Sequence, residues 1–209
     1  MKGGKKQERL YLHDLYSKDI TKTDMPNMKQ LVARHKSRYH LAAFLSRPDM
    51  KVLDFPCGSG YACEILEDVE YTGMDIDEVT IEYAKHFYSD GKYYVDDLAN
   101  PKKLDSGYDL ILCIDGPEHI EIKYQESLVE KFHNALKPGG RLLMSMPEAP
   151  EESGPSKTNP YHLGELTFDD FVSLLETQFD SIQIIIHEDI LHNGVQSNCM
   201  YAIARRGND

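Results

Sequence analysis

The chain has 209 residues, enough for one α/β domain with its own core. Lys and Arg number 23 against 35 Asp and Glu, a formal charge of -12 that argues against a module gripping long nucleic acid through its phosphates. No apolar run approaches the ~20 residues of a membrane span, the start MKGGKKQERL has no apolar core of a secretory signal, and the four cysteines show no CxxC spacing. A reducing cytoplasm is the expected setting, with Lys2, Lys5 and Lys6 as a solvated tail.

Residues 1–49 read as a polar start and then a helix, QLVARHKSRYHLAAFL, closed by Arg47, Pro48 and Asp49. This segment is expected to cover the ligand side of a domain spanning 50–209. From residue 51 the pattern alternates. Residues 51–55 (KVLDF) predict a buried strand, CGSG a glycine turn, and a helix follows to about Glu67. Residues 70–74 predict a second strand, 78–88 a helix, and 93–95 a weak third strand. The apolar run 108–114 (YDLILCI) is the strongest strand signal. A helix over 122–136 ends at KPGG, and 141–146 (RLLMSM) is another strand. Repeated strand, crossover helix and strand predict a doubly wound, Rossmann-like parallel sheet.

The grammar changes after residue 147. Residues 147–160 hold four of the ten prolines and predict a long loop or lid. A helix over 168–179 precedes strands at 182–187 and 199–205. Only about ten residues join these strands, too few for a parallel crossover, so they should be antiparallel. The expected sheet has about seven strands, mostly parallel, finished by an antiparallel hairpin.

Chemistry concentrates at strand ends. Gly58 and Gly60 follow the first strand, where glycines let backbone approach a ligand. Asp54 closes that strand, and Asp75 closes the second, with Asp77 two further on. A carboxylate at Asp75 suits ribose hydroxyls. Dinucleotide sites want a third glycine where Cys63 stands, and Asp54 would repel a pyrophosphate. A cationic ligand such as S-adenosylmethionine, with its ammonium and sulfonium, fits Asp54 better. The plainer alternative is a structural turn in which Asp54 only bonds backbone.

These segments, VLDFPCGSG, YTGMDID, YYVDDL, YDLILCIDGPEHI and LKPGGRLLMSMP, resemble the class I S-adenosylmethionine-dependent methyltransferases in order and spacing. The resemblance runs from about Arg38 to Arg205. It implies that Pro56, Gly58 and Gly60 lie under the methionine moiety, with Asp54 nearby. It further implies Asp75 on the ribose, Ile76 against the adenine, and Asp97, or its neighbour Asp96, at the exocyclic amine. Cys113 to Asp115 would form the floor below the methyl group.

Asp115, Glu118 and His119 (DGPEH) follow the strongest strand, and i, i+3, i+4 spacing puts them on one face of a helical turn. His162, in NPYHLGE, lies beyond the next strand and could face them. Two carboxylates and two imidazoles can hold an octahedral divalent ion with room for substrate hydroxyls. The same residues also read as a helix start, with Asp115 as N-cap, Pro117 in the first turn and Glu118 as capping acid. That leaves His119 and His162 unexplained. The segment resembles the ExxEH motif of two methyltransferase groups: glycan-associated or ubiquinone-type small-molecule O-methyltransferases, and small-RNA 3′-terminal 2′-O-methyltransferases. The resemblance implies a divalent ion, Mg²⁺ or Mn²⁺, on Asp115, Glu118, His119 and His162; Asp115 stands where that motif has a glutamate. A metal-free route with His119 as base stays open beside it.

The tail NPYHLGELTFDDFVSLLETQF is most similar to the glycan-associated group. The expected reaction is therefore methyl transfer to a hydroxyl of a small molecule, a sugar or nucleotide-sugar. Alternatives are 2′-O-methylation of RNA ends and a non-catalytic S-adenosylmethionine-binding subunit. Arg34, His35, Arg38 and Tyr39 precede the first strand and could meet an anionic group of the substrate, or form a solvated helix face.

Overall fold

The computed structural model describes residues 26–102, 104–190 and 196–208. Lys2, Lys5, Lys6 and the first 25 residues lie outside them, as do residues 191–195 between the last two strands. The element order is α1 (Pro26–Leu45), β1 (Lys51–Asp54), α2 (Ala62–Ile65), β2 (Glu70–Asp75), α3 (Glu78–Phe87) and β3 (Lys92–Val95). Then follow β4 (Tyr108–Ile114), a 3-10 turn (Pro117–His119), α4 (Ile122–Ala135), β5 (Leu136–Pro147), α5 (Phe168–Glu176), β6 (Ser181–Ile190) and β7 (Gln196–Arg205).

The seven strands form one sheet in the order β3-β2-β1-β4-β5-β7-β6. Pairs among β1 to β5 are parallel, and β7 is antiparallel to both β5 and β6. The strand order reverses between β1 and β4, and ligands bind at the carboxyl ends of strands on either side of such a switch.

Strand alternation explains why residues 110–114 (LILCI) are apolar throughout. Ile111 and Cys113 pack with Leu53, Leu142, Met144, Phe132 and Phe171 on one face of the sheet. Leu110 and Leu112 pack with Val52, Ile81, Ala84, Leu143 and Ala42 on the other. A strand covered on both faces has no solvent side to keep polar. On α4, Leu128, Val129, Phe132 and Ala135 form the buried stripe, and Arg206 Nη1 caps the helix by donating to the carbonyls of His133, Asn134 and Leu136.

Two elements differ from expectation. The helix after the glycine turn is a single turn, because Leu66 already has extended backbone (φ −93°, ψ 95°). It is too short to act as an anion-binding helix end, so the glycine turn itself must do the work. The KPGG stretch is not a plain turn. β5 begins at Leu136, opposite Tyr108, and its register then jumps so that Leu110 faces Arg141. Among the described residues, no helix is long and apolar enough to cross a membrane.

Candidate active site

A cavity of about 860 Å³ opens at the carboxyl ends of β1, β2 and β4. Its wall includes His35, Arg38 and Tyr39 from α1. The side chain of Arg34 lies outside the described residues. Seven carboxylate residues and one guanidinium line the cavity. That balance favours cationic ligands and opposes polyanions.

One half of the wall forms where β1 and β2 end. Gly58 has φ +53°, and a Cβ added there would meet nothing within 4 Å, so the turn needs glycine and leaves its backbone open to the cavity. Asp75 Oδ2 accepts the Gly58 N–H (3.1 Å), and its Oδ1 accepts the Asp77 N–H (3.0 Å). One carboxylate thus ties the glycine turn to the start of α3. Asp77 is the N-cap of α3, accepting from the Val79 N–H. Ile76, 61% exposed, and Pro56 also face the cavity. Asp97 lines it, whereas Asp96 is buried and binds the N–H groups of Asp97 and Lys102. Of that pair, Asp97 is the one a ligand would meet.

Three expected donor residues do not reach the wall. Asp54 lies behind it, fully buried, its oxygens accepting from Tyr71 Oη (2.6 Å) and Tyr39 Oη (3.3 Å). Burial lifts its carboxyl to about 7 against the opposing pull of those two bonds. Gly60 (φ +83°) is needed for packing: a Cβ there would sit 2.7 Å from Ala84 Cβ and 2.9 Å from Tyr93 Cε1. Cys113 points into the opposite core by strand alternation, and Ile114 and Asp115 form the floor instead.

The other half gathers distant segments. Glu118, His119 and His162 each offer a ligand atom within 4.8 Å of the others. The two rings stand edge to face with centroids 5.1 Å apart. His119 Nδ1 lies 3.1 Å from the Tyr161 carbonyl, and His162 Nδ1 lies 2.6 Å from Glu165 Oε1. Carbonyl and carboxylate oxygens accept, so each Nδ1 carries a proton, and in the neutral imidazole the lone pair then lies on Nε2. The loop bearing His162 is fastened to the residue it faces: the Leu163 and Gly164 N–H groups donate to the Glu118 carbonyl at 2.6 and 3.1 Å. Gly164 permits this approach, since a Cβ would lie 2.5 Å from the Ile120 carbonyl oxygen.

Asp115 lines the cavity but stands outside this trio. It has φ +48°, accepts from Ser145 Oγ (3.0 Å) and pairs with Arg38 from α1. It caps no helix either, because Gly116 precedes a lone 3-10 turn and α4 starts only at Ile122. The expected four-residue ligand set is therefore three residues in the structure, with the fourth carboxylate engaged by Arg38 and Ser145. Neither that pairing nor the role of Glu165 was visible in spacing; only the run His-x-x-Glu hinted at the latter.

Residues 27–174 match a family described as Methyltransferase domain. No curated protein matches the chain. Among solved structures, it is similar to S-adenosylmethionine-dependent methyltransferases from Methanosarcina mazei, with a TM-score of 0.66 and 17% identity over 81% of this chain and 98% of that one. The PH0226 protein from Pyrococcus horikoshii OT3 gives 0.66 and 19% over 92% and 98%. The N-methyltransferase NodS from Bradyrhizobium japonicum WM9, in complex with S-adenosyl-L-homocysteine, gives 0.64 and 15% over 88% and 89%.

Proposed function

The chain belongs to the methyltransferase-domain family, and from that premise we propose that it moves a methyl group from S-adenosylmethionine to a hydroxyl of a small polyol. A sugar or nucleotide-sugar is the favoured acceptor, and Glu118, His119 and His162 would hold a divalent cation beside it. The observation that carries this reading is the trio itself. A carboxylate and two imidazoles, both with Nδ1 engaged, line the same cavity as Gly58 and Asp75.

The residues fit the donor. Gly58 leaves room for close backbone approach, Asp75 offers oxygens to ribose hydroxyls, Ile76 offers an apolar face, and the acidic lining suits a sulfonium. They also fit an ion. Two imidazoles with one carboxylate suit Mn²⁺ and its first-row neighbours better than Mg²⁺, which prefers oxygen alone.

Methyl transfer is an in-line displacement: an acceptor oxygen bonds to the methyl carbon as the carbon–sulfur bond breaks. A bound divalent cation would supply Lewis acidity, easing loss of the hydroxyl proton. This reading assigns that proton to Asp115, a carboxylate on the cavity floor that needs to be only a weak base once the hydroxyl is acidified. Arg38 and Ser145 hold Asp115 in place, and Tyr161 and Glu165 hold the two rings. The acidic lining opposes an acceptor that carries a string of phosphates, which favours sugars over RNA ends.

Methyl transfer from labelled S-adenosylmethionine, with Mn²⁺, onto vicinal-diol sugars, their deoxy analogues, RNA ends and amines tests this. Transfer to the diol sugars, lost in deoxy analogues and with chelator, is the expected result. Transfer to RNA ends alone would shift the acceptor class. Chelator-resistant transfer to amines would overturn the reading.

A further inference from the structure

We infer that Glu165 is a positioning residue for the proposed ion site, fixing His162 with its Nε2 as the ligand atom and strengthening it as a donor. The inference rests on the ion reading above. Glu165 is 9% exposed and its carboxylate lies 2.6 Å from His162 Nδ1. Burying a carboxylate is costly unless it is paired, and here it pairs with an imidazole facing the cavity. The carboxylate accepts the Nδ1 proton, which locks the tautomer and ring orientation and adds electron density to Nε2. Behind His119 Nδ1 stands the neutral Tyr161 carbonyl, at 3.1 Å. The two imidazoles are thus backed by different groups, a carbonyl behind His119 and a carboxylate behind His162.

The loop does not need this carboxylate to keep its shape. The Glu165 N–H and carbonyl exchange two 2.9 Å bonds with Gly154, and Leu163 and Gly164 are fastened to the Glu118 carbonyl. Gln125 Nε2 bridges the Gly164 and Pro117 carbonyls at 2.7 and 2.8 Å. All of these are bonds to main-chain atoms of the loop, and they survive when the Glu165 side chain is changed.

Co²⁺ titration, followed by visible absorption in protein saturated with S-adenosylhomocysteine, tests the inference on wild type, Glu165→Gln and Glu165→Ala. Loss of such a supporting carboxylate typically weakens metal binding about 10- to 100-fold. Glu165→Ala should show that loss with an altered spectrum. Glu165→Gln, which keeps an acceptor oxygen but not the charge, should fall between. S-adenosylhomocysteine affinity and the metal-free melting temperature should stay at the wild-type values. Wild-type Co²⁺ affinity and spectrum in both variants would overturn the inference while leaving the ion site standing. Should Glu165→Ala fail to fold, wild-type behaviour of Glu165→Gln alone would overturn it. Absence of any saturable Co²⁺ spectrum in wild type would remove the ion reading and this inference together.

Discussion

On the donor side of the cavity, Gly58, Asp75 and Asp77 come from the ends of two adjacent parallel strands, and one carboxylate joins them through backbone N–H groups. On the acceptor side, ligand atoms from Glu118, His119 and His162 meet across loops; the His119 ring bonds a carbonyl 42 residues away. The sheet register holds the first group. The second is held by a clamp of two N–H groups on the Glu118 carbonyl and by partners behind each ring. Two halves built so differently should fail independently.

The largest effect is expected from Asp75→Ala. It deletes two charge-assisted anchors, each worth about 1.5–3 kcal/mol, so S-adenosylhomocysteine affinity should fall at least ~100-fold. Mn²⁺ affinity should change little, and calorimetry of each ligand separately reads both. A matching loss of Mn²⁺ binding would show that the halves are coupled. Gly60→Ala comes next, because its Cβ would crowd Ala84 and Tyr93 at a left-handed φ. It should destabilise by about 2–4 kcal/mol in urea unfolding, the sum of overpacking and backbone strain. Its effect on the acceptor half should be confined to that loss of stability.

Asp54 gives a smaller, pH-dependent effect. Its carboxyl sits at about 7 when folded, so between about pH 4 and 7 the folded chain keeps a proton that the unfolded chain has released. Stability from this group is therefore full below about pH 4 and is lost as pH rises toward 7. Asp54→Asn removes the titration. Wild type should lose up to ~1.4 kcal/mol per pH unit relative to the variant across that window. Parallel urea-stability profiles at pH 4.5, 5.5 and 6.5 would contradict the assignment. The smallest effect belongs to Lys157→Ala, in the very loop that carries His162. Its ion pair with Glu151 is exposed on both sides. Stability and Mn²⁺ affinity should shift by no more than about 0.5 kcal/mol, because the backbone clamp holds the loop.

The same contrast decided what could be read from sequence. Periodicity revealed the parallel sheet and its antiparallel finish, because two-sided burial writes itself as apolar runs such as YDLILCI. Gly58, Asp75, Ile76 and Asp97 were legible as cavity-lining residues because strand ends fix where they lie. Asp54, Gly60 and Cys113, expected beside them, do not line the cavity. They belong to the same motifs, but they pack behind the wall, against Tyr39 and Tyr71, against Ala84 and Tyr93, and in the core. Glu118, His119 and His162 were legible as residue types. Asp115 was assigned to the same set, and only tertiary structure brings Arg38 from α1 onto it. The Glu165 contact was missed because an i, i+3 pair in a loop has no fixed direction until main-chain bonds set it.

The most direct test of the central claim is a calorimetric titration of Mn²⁺ into protein saturated with S-adenosylhomocysteine, comparing wild type with His162→Ala. One saturable site in wild type, lost in the variant while S-adenosylhomocysteine still binds, is the predicted result. Absence of Mn²⁺ binding in wild type, or equal binding in both proteins, would contradict an ion held by Glu118, His119 and His162.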